Sequence, residues 1–231
     1  MNRIVAIARL QALGRRDAVL WPVGILTIAI CTNLVVFASI SDSVQDQPVT
    51  GALASIYIAT MAFGAVAVTQ HLPFALGLSV TRREFTAGLA LFVTAQTIAY
   101  AVLLVLLQSI EDATGGWGLR LRMFGLGFLD DYSPPVQFAM YASPLLFMAV
   151  LGAAFGTLYA RWRVNGVLTG VAAAIVLPGG AAALIGYLHR WPDVAHWFAR
   201  TGPVALLAGW PLLLALLLGG ASYLGLRRAT P

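Results

Sequence analysis

The sequence predicts an all-α membrane protein with six transmembrane helices, from its composition, its apolar runs and its arginine pattern. Sixty per cent of the 231 residues are hydrophobic and ten per cent are charged, and the mean hydropathy is +0.85. Soluble domains carry roughly 25% charged residues. So much apolar surface must face lipid or other apolar helices, which excludes an ordinary soluble enzyme or binding domain.

The apolar runs are the second observation. A helix needs about 20 apolar residues to cross a bilayer, and six runs of this chain are long enough. They are Ala18–Ile40, Ala52–Gln70, Phe85–Gln108, Val136–Ala160, Val164–Tyr187 and Val204–Leu226. Together with their connections they form a single predicted membrane domain over residues 1–231.

The arginines set the predicted orientation. Ten would lie on one side of the membrane: Arg3, Arg9, Arg15, Arg16, Arg82, Arg83, Arg161, Arg163, Arg227 and Arg228. The other four would lie on the opposite side: Arg120, Arg122, Arg190 and Arg200. Because cytoplasmic loops are enriched in arginine, both termini are predicted to be cytoplasmic. The arginines lie in pairs beside apolar runs rather than along a basic groove, so membrane lipids and not nucleic acid are the expected contact.

The absence of lysine excludes several chemistries within these 231 residues. All 14 basic residues are arginines. A Walker-type phosphate loop, a Schiff-base enzyme and a Ser–Lys nucleophile pair each require a lysine amine. Cys31 is the one cysteine, so neither an internal disulfide nor a cysteine-rich metal site can form. We therefore expect no cofactor bound by this chain and no catalytic residues.

Three segments outside the runs have recognisable features. Residues 1–17 alternate apolar side chains with arginines, which is typical either of a cytoplasmic amphipathic helix in the headgroup plane or of a simple topology anchor. Residues 109–135 form a long extracytoplasmic loop whose apolar content predicts that it folds back on the membrane or on the protein. Residues 188–203 predict a short outer helix at the membrane surface, beginning near Pro192.

The connection over residues 71–84 predicts a bent cytoplasmic elbow. Pro73 should end or kink the second span, and Gly77 permits a turn. Thr81 and Glu84 have the spacing of a capping box, so a new helix should begin at Thr81. Two exposed arginines would then stand at the tip. The alternative is a helix start whose charges only set the topology.

The stretch Gly77-Leu-Ser-Val-Thr-Arg-Arg-Glu-Phe85 resembles the first intracellular loop of ABC-2-type transporter permeases, particularly the small actinobacterial kind. The six spans, the cytoplasmic termini, the short outer helix and the tight turn Arg161-Trp-Arg-Val-Asn-Gly166 also resemble that family in layout.

The resemblance implies a permease subunit of an exporter in the bacterial cytoplasmic membrane. A separate ATP-binding subunit would bind ATP and Mg and drive transport, and a second permease subunit would complete a homodimer or heterodimer. The coupling elbow that docks on the ATP-binding subunit would comprise Thr81, Arg82, Arg83, Glu84 and Phe85.

Other residues are weaker candidates. Two G-x-x-x-G spacings, Gly152–Gly156 and Gly166–Gly170, predict that the fourth and fifth spans pack as a hairpin, with a subunit interface as the alternative. Asn33, Gln96 and Tyr100 are the prominent polar groups within spans and are candidates for lining a pathway.

The outer segment carries one further alternative. His189, Asp193 and His196 are spaced along one helix face and could form a metal site, but Pro192 interrupts the spacing and solvated side chains are the expectation. A non-transporting scaffold, sensor or immunity protein, and more remotely a membrane metalloenzyme, remain the alternative functions.

Overall fold

The computed structural model describes residues 16–40, 50–125, 127, 129 and 131–228. Within this part of the chain the protein is helical and contains no strand, which confirms the predicted all-α class. The predicted amphipathic segment over residues 1–17 lies outside the described residues except for its last two.

The first helix follows its predicted span closely, and the second begins as predicted but runs seven residues beyond Gln70. Helix α1 is Arg16–Ile40. Helix α2 begins at Ala52, widens into one π-helical turn at Ala67–His71, and ends at Gly77. The sequence predicted an end or a kink at Pro73, but the helix continues to Gly77. A proline lacks the backbone N–H of a regular helix, and the wider turn just before it accommodates that loss without ending the helix.

Helix α3 is Arg82–Ala113, a run of 32 residues. At about 1.5 Å per residue it is about 48 Å long, which exceeds the roughly 30 Å of a bilayer core. Both of its ends therefore extend beyond the predicted span, and residues just past the apolar run belong to the same rigid helix.

Helix α4, Pro134–Tyr187, has 54 residues and a sharp break at Arg163, where φ is 55° and ψ is −143°. The chain reverses direction at this break, and residues on its two sides come into contact. A Cβ placed on Gly166 would lie 2.6 Å from the carbonyl oxygen of Leu158, and one on Gly170 would lie 2.7 Å from the Leu158 side chain. We call residues 134–162 the first limb and residues 164–187 the second limb. The two limbs coincide with the fourth and fifth predicted spans.

Helix α5 is Trp191–Arg200, with Pro192 in its first turn as the sequence predicts. Helix α6 begins as a π-helical turn, Ala205–Gly209, and continues as an α-helix over Trp210–Arg228. Among the described residues, five helices are long and apolar enough to cross a membrane, with the whole of α4 counted as one. The chain is thus compatible with a multi-pass membrane protein.

Two buried apolar clusters lie toward opposite ends of α3. One joins Leu26 of α1, Ile56 of α2, Leu104 of α3 and Tyr141 of the first limb. The other surrounds the start of α3 and consists of Phe63, Ala67, Val68, Leu72, Ala75, Phe85, Leu89, Phe92, Val93, Ala149 and Leu226. The second limb contributes no residue to either cluster. Every residue from 171 to 181 is exposed.

Glycine allows α2 and the first limb to touch backbone to backbone. A Cβ on Gly64 would overlap the carbonyl oxygen of Ala149, and a Cβ on Gly152 would overlap that of Met61. Gly156 faces α2 in the same way, since its added Cβ would lie 2.9 Å from the carbonyl oxygen of Ala65. In lipid, where apolar burial gives little driving force, such close approach is a main source of helix association.

This packing differs from the predicted role of the first glycine pair. Gly152 and Gly156 pack on α2, whereas Gly166 and Gly170 pack the second limb against the first. The sequence could not separate these roles, because G-x-x-x-G spacing marks a smooth helix face without specifying its partner.

Candidate functional site

The elbow between α2 and α3 is held by a series of backbone hydrogen bonds. The amide N–H of Leu78 and of Ser79 donate to the carbonyls of Ala75 and Leu76, and the N–H of Val80 returns to Ala75 at 3.2 Å. Ser79 adopts a left-handed φ of 59°. These bonds close the end of α2 and turn the chain within four residues, so the elbow has one defined shape.

The predicted capping box at the start of α3 is confirmed. The Glu84 N–H donates to the Thr81 hydroxyl at 3.2 Å, and the Thr81 N–H donates to the Glu84 carboxylate at 3.0 Å. The Thr81 hydroxyl also donates to that carboxylate at 2.8 Å. A cap of this kind stabilises a helix start by about 1 kcal/mol, so α3 begins rigidly at Arg82.

The two arginines of the elbow differ in environment. Arg83 is exposed, but Arg82 is half-buried and its guanidinium donates to the carbonyl oxygen of Leu226 at 2.9 Å. The sequence predicted that both arginines are exposed, which is wrong for Arg82. The contact could not be foreseen, because its partner lies 144 positions away. The last carbonyls of a helix attract cations, so Arg82 ties the end of α6 to the elbow.

Phe85 is also internal, with only 1% of its surface exposed. The surface that the elbow does present carries Arg83 and three exposed apolar side chains, Phe74, Leu76 and Leu78. Sequence reasoning missed those three as surface residues. The available signal was a series of apolar residues between Pro73 and Thr81, beyond the predicted span Ala52–Gln70.

The candidate pathway residues do not form one group. Gln96 and Tyr100 lie one turn apart on α3, and the Gln96 amide donates to the Tyr100 hydroxyl at 2.9 Å. Both are buried. Asn33 is on α1, where its amide donates to the carbonyl of Ala29 in its own helix at 2.8 Å. Gln96 and Tyr100 therefore lie on the inner face of α3, whereas the Asn33 side chain bonds the backbone of its own helix.

A buried carboxylate at the other end of α3 was missed by the sequence analysis. Glu111 is 1% exposed. Its carboxylate accepts from the backbone N–H of Met123 at 2.8 Å, of Phe124 at 3.2 Å and of Gly125 at 2.8 Å, and from the indole N–H of Trp117 at 3.0 Å. Successive backbone N–H groups turned toward one point form an anion-binding nest.

The nest explains how the charge is tolerated away from water. A hydrogen bond to a charged group contributes roughly 1.5–3 kcal/mol, and a buried carboxylate without partners would be far costlier. Neighbouring bonds support it, because the Tyr141 hydroxyl lies 2.8 Å from the Gln108 amide oxygen and 2.9 Å from the Phe124 carbonyl. The sequence signal was Glu111 one turn past a long apolar run, followed by a loop rich in glycine and apolar residues.

The loop after Glu111 folds onto the protein, one of the two arrangements predicted for residues 109–135. Leu121, Met123, Phe124 and Leu129 are each no more than 1% exposed. The Thr50 N–H donates to the Arg122 carbonyl at 3.0 Å, and the Gln137 amide donates to the carbonyls of Leu129 and Tyr132 at 3.0 Å. The part of the loop around these four residues is therefore packed into the end of the bundle.

The outer helix α5 is exposed on all sides apart from a half-buried Val194. The Arg190 guanidinium and the Asp193 carboxylate form an exposed ion pair at 2.8 Å, so Asp193 is engaged with an arginine. His189 has a left-handed φ of 53° and precedes the helix. Among the described residues, no three His, Cys, Asp or Glu side chains are placed to hold a metal. His189, Asp193 and His196 therefore do not form such a group.

Comparison with known proteins adds no family to this geometry. The chain matches no family model, no curated protein and no solved structure.

Proposed function

We propose that this chain is the membrane-spanning permease subunit of an ABC-2-type exporter, which moves its cargo with energy from a separate ATP-binding subunit. The observation that carries the proposal is the elbow. It is a rigid turn between two long apolar helices, and it presents exposed apolar side chains beside Arg83. Exposed apolar side chains beside a charged residue and a capped helix start fit a groove on a partner protein, which would cover them.

The elbow suits the transmission of force. Its backbone bonds fix the turn, the capping box fixes the start of α3, and Arg82 joins it to the end of α6. A push on the elbow would therefore move two long helices together rather than bend a flexible loop. The 231 residues hold no lysine for a Walker loop, so the partner would bind both ATP and Mg.

In the proposed arrangement α1, α2, α3, both limbs of α4, and α6 each cross the membrane, which gives six crossings. The break at Arg163 supports this count, because an unbroken 54-residue helix would be about 81 Å long and could not fit a single crossing. Both termini and the elbow then lie in the cytoplasm of a bacterial cell, by the arginine distribution. A second permease subunit, identical or similar, would complete the transporter.

The test is co-purification of the tagged full chain from its native membranes in mild detergent, followed by protein identification and an ATPase assay. We expect a stoichiometric ATP-binding partner with the wild-type chain. Arg83→Glu should weaken its retention at least about tenfold, since a charge at the proposed contact is reversed. Arg200→Glu, the same change on exposed α5, is the matched control and should retain the partner fully.

Two outcomes would contradict the proposal. If no ATP-binding protein co-purifies with the wild-type chain, the non-transporting scaffold, sensor or immunity function takes its place. If the partner is retained equally by Arg83→Glu and Arg200→Glu, the elbow is not where it docks. Metal analysis of the same preparation tests the metalloenzyme alternative, which requires close to one metal ion per chain.

A further inference from the structure

The loop that follows α3 closes one end of the helical bundle. We call residues 119–125 the cap. Three of its side chains, Leu121, Met123 and Phe124, are buried in the cluster that joins α1, α2, α3 and the first limb. The elbow lies at the other end of α3, about 48 Å away by helix length. The cap therefore closes the bundle at the end remote from the proposed partner.

The polar attachments of the cap converge on a short stretch. Glu111 accepts from the backbone of Met123, Phe124 and Gly125. The Tyr141 hydroxyl bonds the Phe124 carbonyl, and the Thr50 N–H bonds the Arg122 carbonyl. The two oxygens of one carboxylate thus receive three of the backbone bonds that hold residues 122–125 in place.

The stretch that leads into the cap has an unusual backbone. Gly115, Gly116 and Gly118 have φ values of 62°, 78° and 73°, and Trp117 and Arg120 have φ values of 59° and 55°. A left-handed conformation is strained for a residue with a Cβ. Trp117 and Arg120 carry that strain, whereas the three glycines adopt the conformation freely and allow rotation about the stretch.

We propose that Glu111 is a latch that holds the cap shut, and that residues 115–118 are the hinge on which the cap leaves the bundle as a unit. The chemistry requires a carboxylate. Three converging N–H groups need an acceptor at both oxygens, whereas a glutamine would turn an NH2 group toward one of the donors. The latch acts on the cap and its hinge and not on the helices, because all its donors belong to residues 117–125.

A consequence for transport rests on the proposed function. If the bundle conducts cargo, the cap occupies the exit remote from the ATP-binding subunit, and cargo can leave only while Glu111 has released its donors. Closing the cap again restores four hydrogen bonds to the carboxylate and buries three apolar side chains, so the closed state is the resting one.

The latch is tested without any transport assay, by hydrogen exchange of the purified full chain in detergent micelles. In Glu111→Gln we expect the amides of residues 121–125 to exchange faster by roughly two orders of magnitude, since several bonds to a charged acceptor are lost. The amides of residues 85–104 in α3 should keep their wild-type protection. Asp131→Asn, the same charge-to-amide change at an exposed position, is the matched control and should leave residues 121–125 protected.

Unchanged exchange at residues 121–125 in Glu111→Gln would overturn the latch. Equally faster exchange throughout α2 and α3 would also overturn it, because Glu111 would then stabilise the whole fold. If Glu111→Gln does not fold, Trp117→Phe serves in its place, since it removes one N–H donor and keeps a ring. It should raise exchange at residues 121–125 several-fold and elsewhere not at all, and an unchanged profile would overturn the proposal.

A cross-link tests the consequence for transport. In a Cys31→Ala background, Thr50→Cys with Arg122→Cys places two thiols on hydrogen-bonded neighbours, within reach of a disulfide or a short bifunctional reagent. We expect cross-linking to abolish ATP hydrolysis by the co-purified complex and reduction of a disulfide to restore it, with the partner retained. Undiminished hydrolysis would show that the cap need not open. If no ATP-binding partner is found, the proposed function fails while the exchange result still decides the latch.

Discussion

Arg82 and Glu111 stand near opposite ends of α3, and each binds backbone groups of another segment. Arg82 donates to the carbonyl of Leu226, and Glu111 accepts from the amides of the cap. Each side chain bonds backbone groups that have no partner within a helix. In a membrane protein such groups are costly to leave unpaired. At the scale of single residues, charge in this protein is therefore used to join elements.

Arg82→Gln tests the residue-scale contact. We expect the free energy of unfolding to fall by about 1 kcal/mol, because the carbonyl end of α6 loses a charged donor. For a chain of this size that is about 2–4 °C in Tm, measured by tryptophan fluorescence during heating in detergent. Arg83→Gln is the control and should change the free energy by less than about 0.5 kcal/mol, since Arg83 is exposed. Equal losses in the two variants would rule out a stabilising Arg82–Leu226 contact.

Helices α2 and α4 pack in close contact because the glycines at their interface have no side chains. Gly64 and Gly152 face each other's helix backbone, and Gly156 extends the contact by one turn. Van der Waals contact over these turns replaces the transfer of apolar groups from water, which is not available between helices in lipid. At the scale of elements, the first limb is the centre of the bundle, because it also packs on α6, where the Gly219 and Gly225 positions approach Val150 and Thr157.

Gly152→Val tests this contact between elements. The new side chain would overlap the Met61 carbonyl, so α2 and α4 must separate, and we expect a loss of at least about 2 kcal/mol. Gly24→Val in α1 is the matched control, because a Cβ there meets nothing within 4 Å. Size-exclusion chromatography and thermal unfolding in detergent measure the effect. A Gly152→Val protein as stable as Gly24→Val would refute the close packing of α2 on α4.

The whole molecule divides into a packed part and an open part. Helices α1, α2, α3, α6 and the first limb surround the two buried clusters, while the second limb and α5 remain largely exposed. One aromatic residue lies just before the second limb and another ends it. Trp162 lies under the Arg161 guanidinium at 4.6 Å, and Tyr187 is 81% exposed. Rings of this kind favour the membrane interface, and their positions are compatible with the proposed crossing by the second limb.

A cysteine map tests the arrangement of the whole molecule. In a Cys31→Ala background, single cysteines replace Arg83, Arg161 or Tyr187, and a membrane-impermeant maleimide is applied to intact cells. With six crossings and cytoplasmic termini, we expect label at position 187, and at positions 83 and 161 only after the membrane is permeabilised. Labelling of positions 161 and 187 from the same side would exclude the second limb as a crossing.

Local spacing accounts for what the sequence determined. The all-α class follows from apolar runs whose composition permits only lipid-facing helices. The start of α3 follows from Thr81 and Glu84, whose bonds span three positions and depend on little else. The start of α5 near Pro192 follows in the same way, from a proline that fits the first turn of a helix.

Tertiary structure alone decided which side chains meet. Arg82 reaches a carbonyl 144 positions away, and Glu111 reaches amides 12 to 14 positions away across a reversed loop. Gly152 and Gly166 share one sequence pattern and face different helices. Periodicity specifies which face of a helix is smooth, apolar or charged. Which helix packs on that face depends on the path of the connecting loops. The path is determined only when all the helices pack together.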